Sequence, residues 1–182
     1  MVGLSVKFVA GVLLCWAAVG SALAQAPSSS SAPRPLDQAF PSSVTEVPTQ
    51  ALTVGGGIYV PAYSSVSIVQ GRVRADFSVT LSMHNASQDK PLVLKRVAYF
   101  DTSGQLVQDY LQKPIALKPF GAVEIFISQN DVRGGTGANF LVEWGAVGQI
   151  AEPVVEALMV GGIGAGHYAF ISQGRPIKMV GN

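Results

Sequence analysis

The chain reads as all-β, a single immunoglobulin-like antiparallel β-sandwich of about seven to nine strands, and three observations predict it. From Asp76 to His84, Phe77, Val79, Leu81 and Met83 fall on one face of an extended chain, and Asp76, Ser78, Thr80, Ser82 and His84 on the other. Unbroken period two over that stretch marks a half-buried strand that a helix cannot imitate. Weaker versions recur to the end of the chain at roughly eight-to-twelve-residue spacing, separated by Gly, Pro and Asn turn residues. Beyond the N-terminal apolar run, no window of about 12 residues carries a helical repeat. Crossover helices for a parallel sheet are therefore missing.

Residues 1–24 read as a signal peptide. Lys7 supplies the positive region, Phe8 to Gly20 the apolar run, and Ala22-Leu23-Ala24 a small-x-small cleavage site before Gln25. An uncleaved anchor needs roughly 20 apolar residues, and the run is shorter than that. Lipidation at Cys15 wants a small residue before the cysteine, where Leu14 stands. The expectation is a periplasmic or extracellular protein with no stable membrane span after cleavage. Residues 25–50, with Pro27, the run Ser28 to Ser31, Pro33, Pro35, Pro41 and Pro48, read as a disordered spacer. It has too little apolar surface to offset its ordering entropy. The folded domain is expected over 51–182.

Within the domain, Gly55-Gly56-Gly57 precedes the segment Ile58 to Val60, which Pro61 closes as on an edge strand. Val66 to Val69 is a second short strand, and Asp76 to His84 a third. Leu92 to Asp101, dense in large apolar residues, reads as a central strand buried on both faces. Thr102-Ser103-Gly104-Gln105 is a hairpin turn returning through Leu106 to Leu111. Leu117 to Gly121 turns the chain into Val123, Ile125 and Ile127, which alternate with Glu124, Phe126 and Ser128. After an irregular stretch from Gln129 to Ala138, Phe140, Val142 and Trp144 alternate with Leu141 and Glu143. Pro153 opens Val154 to Val160, and the glycine-rich stretch 161–166 leads into Tyr168 to Ser172. A Cys-Trp-Cys core is absent, so Trp144 and Tyr99 are expected to fill that volume.

Cys15 is the chain's one cysteine. Past the signal there is no disulfide, Cys-ligated zinc or thiol nucleophile, so buried side chains must hold the fold. Removing Lys7 from the 12 basic residues leaves them equal in number to the 11 acidic ones. A neutral chain without a basic cluster longer than Lys95-Arg96 excludes counterion-driven nucleic-acid binding.

Six segments carry a family resemblance. They are Gly-Ile-Tyr-Val-Pro at 57–61, Leu-Ser-Met-His-Asn at 81–85, Val-Ala-Tyr-Phe-Asp-Thr-Ser-Gly at 97–104, Gly-Thr-Gly-Ala-Asn-Phe-Leu-Val-Glu-Trp at 135–144, Pro-Val-Val-Glu-Ala-Leu-Met at 153–159 and Ser-Gln-Gly-Arg-Pro-Ile at 172–177. Together they resemble a bacterial exported family catalogued as a domain of unknown function, DUF3124, over roughly residues 52–178. The resemblance implies export and a single β domain, and brings no reaction, ligand or partner with it.

Simple up-and-down alternation places the turn at 102–105, the loop at 129–138 and the loop at 161–167 at one pole. That pole gathers Asp101, Asn130, Asp131, Arg133, Thr136, Asn139 and His167 among glycines that admit close backbone approach. The functional reading is a polar binding rim; the bland one is that the glycines serve left-handed turns. Asp131 and Arg133 organise the loop in the bland reading, with Asn130-Asp131 as a local cap. A calcium site from Asp101, Asn130 and Asp131 supplies fewer than the six to eight oxygens the ion takes.

His84 lies on a polar strand face. His167 is the candidate for acid–base work, without an evident nucleophile or orienting carboxylate. No G-x-S-x-G elbow, H-E-x-x-H pair or Walker lysine occurs. Gly164-Ala165-Gly166 leads into a strand, so no helix N-terminus is available for a pyrophosphate. Glu143 and Glu156, read onto neighbouring strands, face solvent beside Arg175 or Lys178 and not a common cleft. Asn85-Ala86-Ser87 has the form of a glycosylation sequon.

The expectation is a non-enzymatic module that binds an envelope protein or small ligand through its loop pole, with no cofactor and no metal. An assembly module pairing through an exposed edge at Ile58 to Val60 is the alternative, and an envelope hydrolase using His167 a remote one. A pocket at the glycine loops favours ligand binding, and an apolar patch on a sheet face or edge favours assembly.

Overall fold

The computed structural model describes Gly3 and residues 34–178. Apart from Gly3, the signal peptide with Cys15 and the first part of the spacer lie outside the described residues. In chain order the elements are α1 (Leu36–Ala39), β1 (Val44–Thr45), β2 (Val54–Pro61), β3 (Ser65–Ile68), β4 (Val73–His84), β5 (Leu92–Phe100) and β6 (Leu106–Asp109). They continue with β7 (Ile115–Leu117), β8 (Ala122–Ile127), β9 (Asn139–Ala146), β10 (Val154–Ile163), β11 (Gly166–Gln173) and β12 (Arg175–Ile177). All belong to one unit, Pro33–Asn182.

Two antiparallel sheets form the layers. The first runs β1-β7-β5-β9-β2-β12, with β6 on the β7 side of β5; the second runs β11-β10-β4-β3, with β8 on the β3 side of β4. The predicted antiparallel sandwich is present, with twelve strands among the described residues where about seven to nine are expected. The surplus is short: β1, β6, β7 and β12 have two to four residues each.

Alternation decides what is buried. Val79, Leu81 and Met83 of β4 and Ala157 and Met159 of β10 turn inward, against Val60, Tyr99, Phe140, Val142 and Trp144 of the first sheet. Each large side chain so buried contributes roughly 1.5–3 kcal/mol. Tyr99 and Phe140 lie with ring centroids 4.8 Å apart, and Trp144 is buried with them, so aromatics occupy the volume that a disulfide and tryptophan fill elsewhere. The central position of β5 is confirmed, with buried residues on both its faces. A register shift between Leu94 and Arg96 then sets Arg96 opposite Glu143.

Three expectations need correction. Residues 36–45 are not spacer: Leu36 is buried in the core, and β1 pairs with β7 through Val44–Leu117 and Thr45–Ala116. One leucine and a two-residue pairing hold a segment whose composition alone reads as disordered. The Ile58–Val60 segment is not an edge, because β9 and β12 flank β2; Tyr59 faces Leu141 on one side and Arg175 on the other. Gly55-Gly56-Gly57 belongs to β2 itself. A Cβ at Gly55 would collide with the Trp144 carbonyl oxygen, and one at Gly56 would touch the indole Nε1 at 3.5 Å. The glycines there let β2 lie close under Trp144.

Candidate functional site

The loop pole assembles through hydrogen bonds between its own parts. Thr102 is the hub: its N–H and its hydroxyl both donate to Gly134 O, at 3.0 and 2.9 Å, and its Oγ1 accepts from Gly137 N at 2.9 Å. Ser64 N–H and hydroxyl both donate to Gly135 O at 3.2 Å. Thr136 hydroxyl donates to Ser65 O at 2.7 Å and accepts from Arg74, which also donates to Ser65 Oγ. The turn at 102–105 and the loop at 129–138 thus share one pole as expected, and the start of β3 joins them.

The polar candidates there are committed. Asp101 Oδ1 accepts from Ser103 N, Ser103 Oγ and Gln105 N at 2.7–2.9 Å, which closes the hairpin turn. The Ser103 hydroxyl, followed by the Gln105 amide, holds the Asp101 carboxyl below its ordinary value. Arg133 grips Asp131 bidentately, Nε on Oδ1 at 2.8 Å and Nη2 on Oδ2 at 2.7 Å. That grip holds the Asp131 carboxyl low and raises Arg133. Asn139 amide donates to Gly137 O, and Asn130 N–H donates to Ser128 Oγ. Among the described residues no group of three His, Asp, Glu or Cys is placed to hold a metal.

The hairpin at 161–167 reaches the same end of the sandwich: Gly161 pairs with Phe77, whose N–H donates to Ser64 O. His167 itself lies on β11 opposite Gly162, exposed, and its side chain makes no hydrogen bond among the described residues. The stretch 161–166 is mostly strand, with the turn confined to Gly164-Ala165. Gly161 is there for packing: a Cβ would come within 2.7 Å of Asp76 O and of the Phe77 ring. Glu143 and Glu156 lie in different sheets, correcting their placement on neighbouring strands. Glu143 pairs with Arg96 at 3.7 Å, which also binds Asp109 at 2.8 Å; Arg175 and Lys178 are not its partners. Asn85 is buried, its amide nitrogen facing the carbonyls of Lys90, Leu117 and Lys118 and its oxygen accepting from Ser87 N. It pins the 85–91 loop and offers no glycosylation acceptor. His84 Nε2 is bonded to Ser82 Oγ at 2.7 Å.

Sequence reasoning misses three features. Tyr99 is fully buried with its hydroxyl beneath Gly134, and no hydrogen-bond partner of acceptable geometry meets it among the described residues. Burial pushes this phenol up, with the Ser64 hydroxyl opposing, while burial pushes the nearby Tyr110 up to about 12. Only the fold brings these groups beside Asp131 and Arg133.

The second is a cleft of about 470 Å³ between α1, the stretch 108–113 and β8. Leu111, Ile115, Ile125 and Phe40 give it apolar walls, and Lys113 bridges to Asp37 at 3.3 Å. The third is the solvent face of the second sheet. Register sets Ile171, Leu158, Thr80 and Phe126 in one row across β11, β10, β4 and β8, with Val160 and Ala169 in the next row and Val154 beside His84. Phe126 is 64% exposed, Ile171 58% and Val154 50%. The signal was present in β10, whose residues 154–160 are apolar at both parities except Glu156.

The fold and the self-satisfied pole define a non-disulfide, all-β sandwich domain, in which no described helix is long and apolar enough to cross a membrane. The model of DUF3124, described as a protein of unknown function, matches residues 55–177, and the chain belongs to that family. No curated protein matches the chain. Among solved structures, the crystal structure of Thermotoga maritima 1070 is similar with a TM-score of 0.43 and 8% identity, over 68% of this chain and 96% of that one.

Proposed function

We propose that the protein is a non-enzymatic interaction module, exported from the cytosol, that docks an envelope protein on the solvent face of its second sheet. The observation that carries this reading is the apolar patch Ile171, Leu158, Val160 and Ala169, with Phe126 across Thr80, on a face over which no described residue forms a layer; the row Gln173, Glu156, Ser82 and Glu124 separates the patch from Val154. Contiguous exposed apolar surface on a soluble domain marks an interaction site. Burying one such side chain at a partner is worth roughly 1.5–3 kcal/mol. The loop pole supports the same choice by its chemistry: Asp101, Asp131, Arg133 and Thr136 spend their hydrogen bonds on holding loops together. Export rests on the N-terminal sequence pattern.

The test is capture from the protein's own envelope extract with three forms: wild type, Leu158→Lys with Ile171→Lys, and Arg133→Ala. The double variant is expected to fold, because exposed sites change stability by only about 0.5 kcal/mol, and to lose the partners that wild type and Arg133→Ala retain. Partners lost with Arg133→Ala and kept by the double variant would return the function to the loop pole.

The cleft under α1 favours a second reading, a small amphipathic ligand, since its volume falls in the range of about 300–1,000 Å³ usual for ligand sites. Leu111→Trp, at a half-buried position of the wall, would fill it and abolish any ligand-induced rise in melting temperature; an undiminished rise would remove this reading.

A further inference from the structure

Sheet edges that stay unpaired are kept short, charged or broken by proline, because a free row of N–H and C=O groups invites another strand. Most edges here obey that rule. β1 has two residues, β6 ends in Asp109, and β8 carries Glu124. β12 has three residues, two of them Arg175 and Pro176. β3 stops after four residues at a turn where Val69, Gln70 and Gly71 all take positive φ. β11 breaks the rule. It is the longest edge strand among the described residues, eight residues from Gly166 to Gln173, without a single Asp, Glu, Lys, Arg or Pro. Every one of its residues is exposed or half-exposed.

We infer that β11 is a dimerisation edge: two copies of this chain pair β11 antiparallel about a two-fold axis, joining their second sheets into one. This rests on the interaction-module reading and names one partner, a second copy. A two-fold axis perpendicular to the sheet keeps both solvent faces on the same side, so facing residues share parity. Centred on Phe170, the pairing brings Ala169 of each copy opposite Ile171 of the other, and His167 opposite Gln173.

Charge is the argument for self-pairing over pairing with a foreign strand. In an isologous contact a strand meets its own copy, so a Lys or Glu on the axis faces its like directly and one beside the axis lies diagonal to its like, in either case at a cost. A strand free of Lys, Arg, Asp and Glu avoids that cost, and this is the long edge that lacks them. The Leu158–Ile171 and Val160–Ala169 rows then run across the axis as one apolar band. The chain passes at Gly174 from β11 directly into β12, so the edges of both layers lie at this side of the sandwich. The closed pair uses up both free edges and does not propagate into a fibre.

Sedimentation equilibrium of the protein recovered from expressing cells, over a wide concentration range, tests this. Wild type is expected to sediment at twice the chain mass. Ala169→Lys and Ile171→Glu, both exposed on the outer face, each weaken self-association by roughly tenfold or more. Mixing the two variants restores the dimer, because the ammonium introduced in one copy then faces the carboxylate introduced in the other. Amide exchange on wild type gives a variant-free check: β11 amides are expected to slow as concentration rises.

A monomeric wild type, or β11 amides that exchange alike at every concentration, overturns the inference. So does a dimer that both single variants leave intact. If wild type is monomeric but Leu158→Lys with Ile171→Lys still loses its envelope partner, self-pairing falls and the docking face stands. If β11 amides slow only on adding envelope extract and never with concentration, the protection comes from the envelope partner and self-pairing is likewise overturned.

Discussion

Tyr99 places a fully buried hydroxyl against the backbone of Gly134, which has no room for a side chain: a Cβ there would overlap the phenol oxygen and come within 2.6 Å of the Ala138 Cβ. Gly134→Ala is therefore expected to destabilise the domain by about 1–3 kcal/mol through overpacking. Tyr99→Phe removes a buried hydroxyl without a well-formed partner and is expected to be neutral or stabilising. In the double variant the cost of the alanine should shrink, a coupling that urea denaturation of the four forms measures. Equal costs of Gly134→Ala in both backgrounds would show that the phenol oxygen is not what excludes the methyl group.

The titratable groups of the pole give the domain opposite slopes at the two ends of the pH scale. Asp101 and Asp131 are held below the ordinary value of 3.8, so they bind fewer protons folded than unfolded. Their contribution is present above that value and is lost as pH falls through the lowered folded values. Tyr110, raised from 10.0 to about 12, binds more protons folded than unfolded in that interval. Its contribution is present below 10.0 and is lost as pH rises towards about 12. Thermal midpoints measured across pH should fall less steeply in acid for Asp131→Asn than for wild type, and less steeply in alkali for Tyr110→Phe. Parallel profiles would contradict the assignment.

At the scale of elements, strands with clean alternation were legible and strands held by remote partners were not. β4, β8 and β9 could be placed to within a few residues because one parity of each is apolar and the fold buries that parity. β1 was invisible: Val44 and Thr45 carry no pattern, and their order comes from β7, some seventy residues later in the chain. α1 was hidden in a proline- and serine-rich context that reads as disorder. Its stability is tertiary, from Leu36 at 7% exposure in the core. Leu36→Ala is expected to cost about 2–3 kcal/mol, read by denaturant unfolding. No cost at all would restore residues 36–45 to the spacer.

The pole itself was legible because hairpin connection brings alternate turns together, but the roles of its residues were not. Whether Asp131 faces a ligand or Arg133 depends on rotamers that no spacing encodes. The apolar solvent face was half-legible. β10 shows it in both parities, while the row it shares with Ile171 and Phe126 needs the registers of β10–β11 and β4–β8.

At the scale of the whole molecule, one core joins both sheets and no cysteine follows Cys15. Such a domain is expected to unfold in one cooperative transition whose midpoint is the same with and without dithiothreitol. A second transition, or a midpoint lowered by reductant, would be incompatible with a single core held by side-chain burial. On that scaffold the polar groups of the pole satisfy one another, while the apolar groups on the outer face of the second sheet have no described residue layered over them. Hydrogen–deuterium exchange of the protein, free and then in its envelope extract, compares the two surfaces directly. Slowed exchange over residues 154–173 and 122–127, with 129–138 unchanged, is the predicted result; protection confined to 129–138 would contradict it.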